Sequence, residues 1–96
     1  MIGEISKEQR AKMISIFKEN GVERAAIFGS FARGQATKDS DIDILVEFKG
    51  EKSLFDLGGL KAGLEDIFNK KIDLVEYQSL HPLLREEILK EQIFVL

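Results

Sequence analysis

The spacing of apolar residues along the chain changes from element to element, and each spacing predicts a different structure. Residues 22–28, VERAAIF, and 41–48, DIDILVEF, are short, apolar and rich in β-branched residues, and both read as strands. In the second run the alternation predicts Ile42, Ile44, Val46 and Phe48 on the core side, with Asp41 and Asp43 together on the other. Lys71 to Tyr77 reads as a third strand, in which Asp73 shares a face with Val75 and Tyr77. Ile93 to Leu96 fits a short edge strand, covered by the domain or used for association.

Helical spacing fills the gaps. Ser6 followed by Gln9 is a capping-box pattern that predicts a helix to about Asn20, with Met13, Ile14 and Phe17 on its buried side and Gly21 as its stop. From Ser53 to about Phe68, Leu57, Leu60, Leu64 and Ile67 recur at helical intervals. Gly58, Gly59 and Gly63 weaken that helix intrinsically, which suggests close packing against the sheet or a partner. Pro82 suits the first turn of a last helix to about Glu91, and His81 before it reads as a cap-region residue rather than a base. Together the elements predict an α/β (α+β) fold: one domain at 1–96, a small mixed β-sheet with helices packed on one face, and Asp41, Asp43 and Asp73 gathered at an open face.

Composition narrows what such a domain can do. Its 96 residues, 44% of them hydrophobic, suffice for one core. No apolar run approaches a membrane span and the start lacks a signal-peptide pattern, so a cytoplasmic protein is expected. The absence of cysteine excludes disulfides and thiolate metal sites, leaving hard oxygen-bound metals. A net charge of −3 disfavours extended contact with nucleic acid.

The chemistry is concentrated between Gly29 and Asp43, GSFARGQATKDSDID. Glycine at a strand exit lets backbone approach a phosphate closely. Free amides at a helix start, the Ser30 hydroxyl and Arg33 are candidates to hold anionic oxygens, and Gly34 ends the turn. Asp41 and Asp43 on one face repel each other. One should have a raised pKa unless Mg²⁺, which takes one or two carboxylates plus water and phosphate oxygens, compensates the pair. Singly, Gly29-Ser30 reads as an ordinary turn, the two aspartates as a solvated strand start, and Arg33 as a surface arginine. Jointly, at fixed spacing, they point to a site for metal-assisted nucleotidyl transfer.

Gly29, Ser30, Asp41 and Asp43 resemble the signature of the minimal nucleotidyltransferases, a compact branch of the DNA polymerase β superfamily: Gly-Ser, ten residues, Asp-x-Asp. The likeness runs over nearly the entire chain. It departs at Phe31, where many relatives carry a basic residue, so a phosphate contact is absent there. The resemblance implies a polymerase β-type palm and a third metal-binding carboxylate on a later strand, for which Asp73 is the candidate, with Glu76 or Glu47 as alternatives. It further implies two Mg²⁺ ions, ATP as donor, and a HEPN-domain toxin as bound partner and tyrosine acceptor, which makes the chain an antitoxin-like adenylyltransferase. Two other readings remain open: a non-catalytic module that neutralises its partner by covering it, and a small-molecule nucleotidyltransferase subunit resembling the kanamycin-modifying enzymes.

Overall fold

The computed structural model describes residues 5–96; the expected domain at 1–96 therefore includes four residues that lie outside the described ones. Helix α1, Lys7–Glu19, begins at the anticipated capping box. The Gln9 amide donates to Ser6 Oγ at 3.0 Å and the Ser6 amide donates to Gln9 Oε1 at 3.0 Å. Strand β1, Val22–Phe28, leads into a single helical turn, α2, Gly29–Ala32, and strand β2 follows at Ile42–Phe48. Helix α3, Leu54–Phe68, opens with a second capping box, Ser53 with Asp56, whose hydrogen bonds hold the Asp56 carboxyl below its ordinary pKa. It ends where Asn69 takes the left-handed conformation, φ 51°. Strand β3 is Ile72–Glu76, a 3₁₀ turn spans Tyr77–Ser79, helix α4 is Pro82–Glu91, and strand β4 is Ile93–Phe94. His81 is a cap, as expected: its Nδ1 accepts from the Leu83 amide at 3.1 Å.

The four strands form one mixed sheet in the order β3-β2-β1-β4. β1 runs antiparallel to β2 and β4, while β2 and β3 are parallel, with α3 as the connection between them. One sheet face carries Ile27, Ile42, Ile44, Val46 and Ile72, packed with Met13 and Phe17 of α1 and Leu60, Leu64 and Phe68 of α3. The two long helices therefore share one face, as the apolar periodicity predicts.

The other face is not bare. Leu45 and Tyr77 pack there with Leu80, flanked by Phe28, Val75 and the α4 residues Ile88 and Leu89. Tyr77 does not end β3 as the alternation suggested but starts the 3₁₀ turn, where its hydroxyl donates to Gln92 Oε1 at 2.6 Å and Arg24 lies 4.0 Å over its ring. The α3 glycines divide. Gly63 meets α1 rather than the sheet, since an added Cβ would collide with Ile16 Cδ1. Among the described residues Gly58 and Gly59 have no neighbour that a Cβ would reach, so packing against those residues does not account for them. No helix among the described residues is long and apolar enough to cross a membrane.

Candidate active site

The last residue of β1, Phe28, pairs with Asp43 of β2, which brings the Gly29 turn against that aspartate. Gly29 has φ +72°, a backbone state other residues adopt only with strain, and a Cβ on it would collide with the Asp43 carboxylate. Two independent constraints therefore demand glycine at this position. The turn then closes on itself. The Arg33 amide donates to Gly29 O at 3.1 Å, Gln35 to Ser30 O at 2.8 Å, and Gly34, with φ +71°, to Phe31 O at 3.3 Å, ending the turn where the sequence places its end. Phe31 is buried in the main core. The position after the serine is thus spent on packing, which is why no basic group stands there.

Asp43 and Asp73 are directly paired across the parallel strands β2 and β3, while Asp41 lies just ahead of β2 and is exposed. The raised pKa expected of the aspartate pair falls on Asp43, pushed up to about 6. The causes differ from the sequence expectation, however. Burial is the largest, repulsion from Asp73 comes second and from Asp41 third, a hydrogen bond with Asp73 adds to the rise, and Arg33 opposes it. The close pair is therefore Asp43–Asp73 across strands, not Asp41–Asp43 along one. Among the described residues no three His, Cys, Asp or Glu side chains form a ready-made metal cluster. Mg²⁺ needs only one or two carboxylates beside water and phosphate oxygens, so a carboxylate pair of half-buried Asp43 and exposed Asp73, whose repulsion Arg33 offsets only in part, fits it. Glu76 and Glu47, the alternative third carboxylates, lie at the far end of the strands, lining a separate cavity of about 390 Å³ with Val46, Lys52 and Tyr77.

Arg33, a candidate phosphate ligand, is engaged within the chain. Its guanidinium donates to both carboxylate oxygens of Glu91, at 3.2 and 3.3 Å, and its Nε to Gln35 Oε1 at 3.1 Å. Glu91 also accepts the Gly29 amide at 3.1 Å. Sequence reasoning missed Glu91 because only the pairing of β4 with β1 brings it here. Ile93 is opposite Ile27, so the residue two before Ile93 falls opposite the residue two after Ile27.

The model of the polymerase beta nucleotidyltransferase family matches residues 11–96. The chain belongs to this family. A candidate protein adenylyltransferase of Methanocaldococcus jannaschii is 51% identical to it over 89 residues, covering 93% of this chain and 96% of that one. A solved candidate minimal nucleotidyltransferase superposes with a TM-score of 0.80 at 39% identity, over 91% of this chain and 89% of that one. At 20% identity and TM-score 0.72, over 94% of this chain and 71% of that one, the same fold occurs in a complex of a tri-AMPylated Shewanella oneidensis HEPN toxin with an MNT antitoxin. The chain is thus a nucleotidyltransferase with the minimal nucleotidyltransferase fold, and Gly29, Ser30, Asp41, Asp43 and Asp73 gather at one end of its sheet.

Proposed function

We propose that this nucleotidyltransferase moves AMP from ATP, in the presence of Mg²⁺, to a tyrosine hydroxyl of a HEPN-domain partner, and acts in the cytoplasm as the antitoxin of a toxin–antitoxin pair. The observation that carries the reading is the Asp43–Asp73 pair, held beside the Gly29 turn with Asp43 pushed up to about 6. A carboxylate pair kept at that electrostatic cost is suited to a divalent cation. The name of the Methanocaldococcus relative and the AMPylated toxin in the Shewanella complex support a protein acceptor. Leu54 and Phe55, adjacent at the start of α3 and 87% and 91% exposed, are compatible with association.

Asp43 and Asp73, with Asp41 just ahead of β2, are the residues that would hold Mg²⁺. When bound, the metal would neutralise charge on the α-phosphate and on the departing pyrophosphate. The Ser30 hydroxyl and the first free amides of α2 would hold the outer phosphate oxygens. Asp73, exposed at the sheet end, would accept the proton of the acceptor hydroxyl as its oxygen bonds the α-phosphorus and the bridging bond to pyrophosphate breaks.

The test is the intact mass of the partner protein after incubation with ATP, Mg²⁺ and either wild type or Asp43→Asn. The expected result is a gain of one or more adenylate units with wild type alone. A stable complex without any gain would replace this reading with neutralisation by covering. Pyrophosphate release on addition of an aminoglycoside, with no protein present, would replace it with small-molecule transfer.

A further inference from the structure

Gly29 is buried at the start of a partly exposed turn, and its amide donates to a carboxylate from the opposite end of the chain. That carboxylate, Glu91, also takes the Arg33 guanidinium on both its oxygens. Glu91 is more enclosed than its partner, 24% against 46% side-chain exposure, so α4 holds the arginine rather than the reverse. Arg33 in turn lowers the pKa of Asp43. One side chain thus touches the turn, the candidate phosphate-binding arginine and, through that arginine, the acidic pair.

We infer that Glu91 is a positioning residue of the nucleotide site: it fixes the Gly29 turn and aims Arg33, so that the Ser30 hydroxyl and the following amides are set for the triphosphate. The physical basis is that an unheld arginine samples many rotamers and a glycine at positive φ samples many backbone states, and both must be ordered when an anion binds. A bidentate carboxylate orders them beforehand. Gly29 itself then presents no amide to phosphate, because Glu91 already occupies it. The inference rests on the nucleotidyltransferase reading, but it concerns donor binding and not the acceptor.

The test measures binding of the non-hydrolysable analogue AMP-PNP, with Mg²⁺, by calorimetry to wild type, Glu91→Gln, Glu91→Ala, Arg33→Ala and the two double variants. Glu91→Gln keeps an oxygen for the Gly29 amide but loses the negative charge that pairs with Arg33. It should weaken binding about fivefold, with Glu91→Ala weaker still. On the Arg33→Ala background the Glu91→Gln effect should vanish, whereas a purely structural role would leave it unchanged. Wild-type affinity in both Glu91 variants, equal losses with and without Arg33, tighter binding by Glu91→Gln, or no binding by wild type would each overturn the inference. A wild type that binds AMP-PNP but adds no AMP to its partner would sink the protein-acceptor reading and leave this one standing.

Discussion

The two faces of β2 are separated by a one-residue step in sequence and by opposite electrostatic logic. Ile42, Ile44 and Val46 face α1 and α3, 0–1% exposed, and every group there is apolar and covered. Between them, Asp43 and Leu45 face the other way. Leu45 is also completely buried, yet Asp43 beside it is a carboxylate pressed against Asp73 and pushed up to about 6. The first face is complete as folded. The second is complete only around Leu45, and its acidic end carries a charge repulsion that Arg33 offsets only in part and that favours uptake of a proton. Stability is therefore built on one side of the strand, while the other bears an electrostatic cost of the kind that functional sites carry.

The sharpest way to break this contrast is to damage each face in turn. Ile44→Ala should cost about 3 kcal/mol by removing buried methyl groups from the helix-covered side, read as a lowered denaturation midpoint, while the protein that stays folded keeps its transfer activity. Gly29→Ala should cost about 2 kcal/mol through positive φ and the clash with Asp43, and should also reduce transfer to background in the folded fraction. Retained transfer in folded Gly29→Ala would show that the turn is not part of the site.

Asp43→Asn should have the reverse sign. The ordinary aspartate value is 3.8 and the folded value is about 6, so below about 4 both folded and unfolded chains hold the proton and above about 6 neither does. Between these limits the folded chain keeps a proton that the unfolded chain has released. The contribution of Asp43 to stability is therefore present below about 4 and is lost as pH rises to about 6. Allowing for its partial exposure, the loss is about 1 kcal/mol. Asp43→Asn should remove that slope and melt higher than wild type at neutral pH in the absence of metal, while transfer disappears. Asp73→Asn should move the same slope to lower pH by removing the second-largest cause of the shift. A wild-type profile identical to that of Asp43→Asn between pH 4 and 6 would show the pair to be compensated already.

The smallest effect is expected on α3. Gly58→Ala and Gly59→Ala fill open space in a helix and should each stabilise by about 0.5–1 kcal/mol in thermal melts, whereas Gly63→Ala should destabilise through Ile16. If the first two weaken association with the partner, the bare stretch of α3 is where that partner packs.

What could be read in the sequence follows from how local each signal is. The capping box at Ser6, the alternation of DIDILVEF and the Gly29 exit are decided within a few residues, and they stand where the sequence places them. Asp73 was legible by its own strand but its partner was not, because only the parallel register sets it against Asp43 instead of leaving Asp41 as the nearer neighbour. Glu91 gave no sign at all, since it reaches Gly29 through the pairing of two strands more than sixty residues apart. The glycines of α3 misled in part: a missing Cβ says that close approach is allowed, and among the described residues only Gly63 uses it.

The most direct test of the unfinished face is the melting temperature of wild type and Asp43→Asn at neutral pH, with and without millimolar Mg²⁺ and AMP-PNP. Mg²⁺ with the analogue should raise the wild-type melting temperature by removing the Asp43–Asp73 repulsion and leave Asp43→Asn nearly unmoved. Equal shifts in both proteins, or none in wild type, would contradict the claim that this pair exists to hold a metal-bound nucleotide.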